Sequence, residues 1–167
     1  MAAAKVEEDG DARLVRLTEA TLTAVGDKVK GAAVFSNKRG ANCVGCHAVA
    51  GVGAKVGPEL TEVGKKYLRP YLIESVLYPS KQLLDGYEMA LIALKSGERL
   101  QGIVQHEDKE RLALAKSDGS VATIAIDEVQ SRKKSTKSLM PDGLVNGMTD
   151  QDFFDLIAYL ESLKKAP

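Results

Sequence analysis

The pattern of apolar and polar positions predicts four helices, of which the last is the most regular. Between residues 149 and 165, apolar side chains recur every three or four residues and form one helix face; they are Phe153, Leu156, Ile157, Leu160 and Leu163. Thr149 and acidic residues precede this face and lysines follow it, an arrangement that caps a helix and complements its dipole.

Three further helices are predicted in the first half of the chain. The segment ARLVRLTEATLTAV, residues 12–25, is predicted to be helical. Asp27 is an N-cap candidate for a helix that runs to about Asn37 and carries apolar residues at helical spacing. The third begins at Pro70 and stops before Pro79, because a proline disfavours helical geometry in the residue that precedes it.

Between Gly86 and Gln130 the chain changes to short runs rich in Leu, Ile and Val. Polar breaks at residues 96–97, 107–109 and 118–119 divide this stretch into four runs of strand length. They predict a four-stranded antiparallel meander, and a small barrel-like module if a neighbouring segment closes it. Because so small a sheet buries too little to be stable alone, we expect one of its apolar faces to rest on the helical part.

Length and composition favour one globular domain with a small insert. The chain has 167 residues, of which 44% are hydrophobic and 28% charged, and its formal net charge is zero. A neutral chain gives no general reason to expect a nucleic acid as partner. No apolar run reaches the roughly 18 residues of a transmembrane segment. With no Trp and only 5% aromatic residues, part of the interior is expected to be filled by a cofactor.

The most specific chemical signal is the segment CVGCH, which holds Cys43, Cys46 and His47. A thioredoxin-like redox pair normally follows a buried strand and opens a helix, whereas the segment before Cys43 looks helical and then loop-like. A structural zinc site needs four ligands, and the only other Cys or His in the sequence is His106. Covalent haem attachment uses two thiols and the histidine that follows them, and the sequence favours this third interpretation.

Two further positions are candidates for a haem site. A ligating histidine normally donates its other ring N–H to an acceptor, for which the Pro58 carbonyl in GPEL is the candidate. The second axial position would fall to Met140 in KSLMPDGL, where Pro141 keeps the preceding residue extended and Gly143 permits a tight turn. The remaining candidates are interpreted as core, gap-filling or solvated side chains; they are Met89, Met148 and His106.

The sequence resembles the class I c-type cytochromes, and specifically the planctomycete-type haem-binding domain family. The matching motifs are GDKVKGAAVF, the attachment motif CVGCH, GVGAKVGPELT, SLMPDGL and NGMTDQDFFDLIAYL, within residues 27–80 and 131–165. The resemblance implies that the Pro58 carbonyl accepts a hydrogen bond from the haem-ligating histidine. It also implies that Gly31 and Phe35 let the first helix of the haem domain cross the last one near Tyr159.

Pattern and resemblance together predict a mainly α cytochrome c fold with an inserted four-stranded β meander, α+β overall. Residues 1–26 are expected to form an N-terminal helical extension. Residues 27–83 and 131–167 are expected to form the haem domain, and residues 84–130 the inserted β module.

The implied function is electron transfer through one covalently bound haem c, whose iron is held by His47 and Met140, toward redox partner proteins. On this hypothesis the chain is not an enzyme by itself. Two alternatives stay open: a haem peroxidase or gas-sensing domain with a displaceable Met140, and the electron-exit domain of a larger dehydrogenase, fused or associated. Thioether attachment outside the cytoplasmic membrane implies a periplasmic or otherwise exported location. The start of the chain lacks the basic and then apolar pattern of a secretion signal, so we expect either an artificial start or a cut from a longer precursor.

Overall fold

In the computed structural model, residues 10–164 are described. The first nine residues of the predicted N-terminal extension and residues 165–167 lie outside the described residues. The helices are α1 Gly10–Thr21, α2 Lys28–Ser36, α3 Val63–Lys66, α4 Arg69–Leu77 and α5 Asp150–Ser162. The strands are β1 Ala90–Leu94, β2 Arg99–Glu107, β3 Arg111–Ala115, β4 Val121–Ala125 and β5 Val129–Lys134.

The four predicted helices are present as α1, α2, α4 and α5, and the caps explain where two of them begin. The Asp27 carboxylate accepts from the backbone N–H groups of Val29 and Lys30, at 2.8 and 3.3 Å. Thr149 and Asp152 form a capping box at the start of α5, in which each side chain accepts from the other residue's backbone N–H. Helix α3 is a single short turn that the sequence pattern did not indicate.

The prediction of a four-stranded meander with a barrel-like form is wrong. The described chain forms an open five-stranded antiparallel sheet with the order β4-β3-β2-β1-β5. The unpredicted strand, β5, pairs with β1 and carries the sheet to Lys134, beyond the predicted end of the insert at Gln130. The overall α+β class is as expected.

Strand β5 was missed because its sequence, VQSRKK, has no apolar alternation. Its residues after Val129 are all exposed, as fits an edge strand protected by lysines from pairing with another chain. Two of its basic side chains pair with carboxylates of neighbouring segments: Arg132 with Glu107 at 2.7 Å, and Lys134 with Glu88 at 2.8 Å.

The helices and the sheet each bury their own apolar cluster. The helical cluster joins α1, α4 and α5 around Leu17, Ile73 and Phe153, all fully buried. The sheet cluster contains Leu112, Leu114 and Ile124, and none of its members belongs to the helical cluster. The expectation that the sheet rests an apolar face on the helical part stays a prediction, although buried Ile103 of β2 lines a cavity that it shares with helical residues.

Helix α2 crosses α5 at Gly31, as the resemblance implied. A Cβ atom at Gly31 would lie 2.7 Å from the Cβ of Tyr159 and would collide with the backbone carbonyl of Asp155. One turn further along α2, the rings of Phe35 and Tyr159 meet with centroids 5.5 Å apart. Asp155 is itself buried and accepts the backbone N–H of Asp27 at 2.8 Å, which ties the start of α2 to α5.

Candidate functional site

The segment that contains both cysteines forms one tight turn. Residues Cys43–Gly45 make a 3-10 turn, preceded by Asn42 in the left-handed region at φ 50°, which asparagine tolerates better than most residues. The backbone N–H groups of Cys46 and His47 both donate to the Cys43 carbonyl, at 3.0 and 2.8 Å. Through this local folding, all three side chains line the same cavity.

The His47 ring is held by the carbonyl predicted from the sequence. Its Nδ1 lies 2.7 Å from the Pro58 oxygen. Because a carbonyl can only accept, Nδ1 carries the proton and Nε2 keeps a lone pair that can bind a metal. Burial lowers the pKa of His47, although the Pro58 contact opposes that shift. The ring is therefore neutral at pH 7, the state in which an imidazole binds iron.

Gly57 allows the His47 ring to lie directly against the backbone. A Cβ atom at this position would be 2.5 Å from Cε1 and 2.9 Å from Nδ1 of the ring. Sequence analysis did not assign Gly57 a role, although it stands in the GPEL segment beside Pro58. The close approach depends on how two segments ten residues apart pack, which no local pattern specifies.

The two cysteines are free thiols, partly buried at the cavity. Burial raises the pKa of Cys43 to about 11 and also raises that of Cys46. A thioredoxin-like cysteine pair has a lowered pKa that makes its thiolate reactive, so this environment disfavours the redox-pair interpretation.

A zinc site is disfavoured as well. Within residues 10–164, no group of three or more His, Cys, Asp and Glu side chains is placed to hold a metal ion. His106 lies on β2 with 73% of its side chain exposed, near Asp108, and does not line the cavity. Its interpretation as a solvated histidine is confirmed.

The cavity beside these residues has a volume of about 480 Å³, within the usual range for cofactor sites. Aliphatic and aromatic side chains from α2, α4 and α5 form one part of its wall, and loop residues form the rest; among the helical residues are Phe35, Leu72, Val76, Leu156 and Leu160. Tyr67 and Tyr71, which also line the cavity, stack on each other at 4.2 Å between ring centroids.

Two methionines line the cavity. The backbone N–H of Met140 donates to the Ser138 hydroxyl at 3.1 Å, and the Ser138 N–H donates to the Ser80 hydroxyl at 3.1 Å. This chain of bonds holds the Met140 loop against the segment that follows α4. Met148 also reaches the cavity, and its carbonyl accepts from Arg13 at 2.8 Å. Met89 lies directly before β1, is buried and does not line the cavity, which agrees with its interpretation as a core residue.

Sequence analysis treated Met148 as a gap-filling residue and did not place it at the cavity. Its approach follows from the 3-10 turn Leu144–Gly147, which brings the chain back to the cavity before α5 begins. The donor set at the cavity is thus two thiols, one neutral imidazole and two thioethers. Such a set around an apolar cavity fits a covalently attached haem, which needs two thiols and soft or imidazole axial donors.

Comparison with known proteins supports this fit. A family model described as Cytochrome c matches residues 29–115, slightly more than half of the chain. The match covers Cys43, Cys46, His47 and Pro58, and it ends ahead of Met140. A search of curated proteins found no match.

Proposed function

The chain belongs to the cytochrome c family, and on that premise we propose that it carries a single haem c and passes single electrons between redox partner proteins. Cys43 and Cys46 are the points of covalent attachment, and His47 and Met140 are the axial ligands. The observation that carries the proposal is the convergence of both thiols, the His47 ring and the Met140 side chain on one apolar cavity.

Each of these residues has a separate task. A bound haem supplies an iron centre that accepts and releases one electron. The cysteines fix its position in the cavity, and the hydrogen bond from His47 to Pro58 fixes the orientation of the imidazole and raises its basicity. A thioether from Met140 favours a higher reduction potential than a second histidine would. The apolar wall limits contact with water, which favours the less charged ferrous state.

The finer assignments are part of the same proposal. The order of the motifs, with a β insert between α4 and the Met140 loop, supports the planctomycete-type haem-binding domain family. Thioether attachment supports a periplasmic or otherwise exported location. A role as the electron-exit domain of a larger dehydrogenase is compatible with the same site. No helix among residues 10–164 is long and apolar enough to cross a membrane.

Covalent attachment is tested by replacing both thiols. We expect the native protein, made with a haem-attachment system, to gain the mass of one haem that acidified organic solvent does not extract. The double variant Cys43→Ala and Cys46→Ala should lose all covalent haem, whereas Met89→Leu, remote from the cavity, should retain it. Retention of haem after extraction in the double variant, or two haems per native chain, would contradict the proposal.

Full axial occupation predicts that the protein is a carrier and not an enzyme or a gas sensor. With His47 and Met140 both bound, no open position remains for a diatomic ligand or for peroxide. We therefore expect the ferrous protein to bind CO only slowly and incompletely at neutral pH, as followed by its absorption spectrum. Rapid stoichiometric binding would favour the alternative of a peroxidase or gas-sensing domain with a displaceable Met140.

A further inference from the structure

The β module, residues 84–134, is joined to the helical part at one corner. Its first and last strands are neighbours, with Ala90 paired to Lys134, and the Ser135 N–H donates to the Met89 carbonyl at 2.8 Å. Because the module also has its own apolar cluster, its two chain connections alone do not fix its position over the cavity. Contacts that lie away from this corner are needed to fix that position.

Those contacts involve the turn Cys43–His47, here called the attachment turn, and the loop that follows it. The Gln105 side-chain amide on β2 donates to the Lys55 carbonyl at 2.5 Å. The β3–β4 turn approaches Gly45, one of the two residues between the cysteines, since a Cβ atom at Gly119 would lie 3.8 Å from the Gly45 carbonyl. Between these points, Ile103 and Ser117 of the module form part of the cavity wall.

The segment that accepts the Gln105 bond is also the one that supports the site. The residues directly after Lys55, Val56 and Gly57, both donate their N–H groups to the Cys46 carbonyl, at 3.1 and 2.8 Å. Gly57 then contacts the His47 ring. The bond from Gln105 therefore joins the module to the loop that lies against both the attachment turn and the imidazole.

We propose that Gln105 is a positioning residue that latches the β module over the haem edge beside the attachment turn, and so controls how much water reaches the haem. The inference rests on the proposed function, because it needs a haem in the cavity. The bond is suited to this role because the helical cluster and the sheet cluster have no residue in common, so the module can move away from the cavity without unfolding either cluster. The module supplies cover and no iron ligand.

The test compares three variants of the haem-loaded protein. Gln105→Glu keeps the size of the side chain but removes the donor that a carbonyl requires, and Gln105→Ala removes the whole group. Gln101→Ala is the control, an exposed glutamine on the same strand. Loss of one neutral hydrogen bond should increase opening about fivefold, so hydrogen exchange at the Val56 and Gly57 amides should accelerate by about that factor in both Gln105 variants.

The reduction potential gives a second measure. It should fall in both Gln105 variants, because water at the haem edge favours the more highly charged ferric state, and it should stay unchanged in Gln101→Ala. If neither the hydrogen exchange nor the reduction potential changes in Gln105→Glu, Gln105 does not hold the module in place. Loss of methionine ligation in either Gln105 variant would also contradict the proposal, because the module would then help to form the iron site. Absence of covalent haem from the native protein would instead refute the proposed function.

Discussion

Replacement of Gly31 by alanine is expected to be among the most destabilising single changes in the chain. The added Cβ would lie 2.7 Å from the Cβ of Tyr159 and would collide with the Asp155 carbonyl. Since the second obstacle is backbone, no side-chain rotation relieves it, and α2 and α5 must separate. Overpacking of this kind costs about 3 kcal/mol. Denaturant unfolding of the haem-loaded protein, followed by circular dichroism, should show a clearly lowered midpoint.

Gly10→Ala is the matched control, because Gly10 is also helical and nothing lies within 4 Å of the Cβ that it would gain. Its stability should be unchanged or slightly increased, since alanine is the better helix former. Gly31→Ala should also perturb the haem spectrum, because Phe35 and Leu156, which line the cavity, sit on the two helices that separate. Equal midpoints for the two variants would contradict a tight crossing at Gly31.

The helices were predictable because their signals are local. Asp27 and Thr149 each cap a helix through bonds to residues two or three positions away, so the sequence window contains both partners. The same holds for the attachment turn, in which Cys43, Cys46 and His47 are joined by backbone bonds across four residues. These elements were predictable because the partners lie within a few residues and a cap or a motif marks them; the single turn of α3 is equally local but has no side-chain cap, and it was missed.

The fifth strand was not predictable in this way. Val129–Lys134 pairs with Ala90–Leu94, which lies far back along the chain, and only Val129 adds an apolar side chain to the sheet cluster. An exposed edge strand lacks the alternation by which strands are recognised, since neither of its faces is buried. The error in the fold prediction therefore arose from a contact between distant segments and not from a misinterpreted local pattern.

At the cavity, too, features set by local sequence were predicted and features set by contacts between distant segments were not. The residues of the CVGCH motif were selected by their spacing and do line the cavity, whereas the approach of Met148, the contact of Gly57 with His47 and the bond from Gln105 all depend on tertiary packing. The two methionines illustrate the consequence. Both have partly buried side chains packed against the helical cluster and both line the cavity, so position alone leaves two candidates for the second axial ligand.

Replacement of Met140 by alanine is expected to change the haem more than any other methionine substitution. The Met140 loop is held by the bonds to Ser138 and from Ser138 to Ser80, and Pro141 restricts the geometry of the methionine. Loss of this thioether should abolish the weak far-red absorption of methionine-ligated ferric haem. It should also lower the potential by a sizeable part of the roughly 0.8 V range that axial ligands span.

Met148→Ala is the matched variant, because it removes an identical side chain from the same cavity wall. It should leave the far-red absorption and the potential nearly unchanged, while lowering stability by up to about 2 kcal/mol through lost packing. Optical spectra of the ferric proteins and redox titration of both variants distinguish loss of the axial ligand from loss of packing, since only loss of the ligand removes the far-red absorption. If Met148→Ala loses the far-red band and Met140→Ala keeps it, the axial ligand is Met148, and the short turn before α5 holds the iron in place of the Met140 loop.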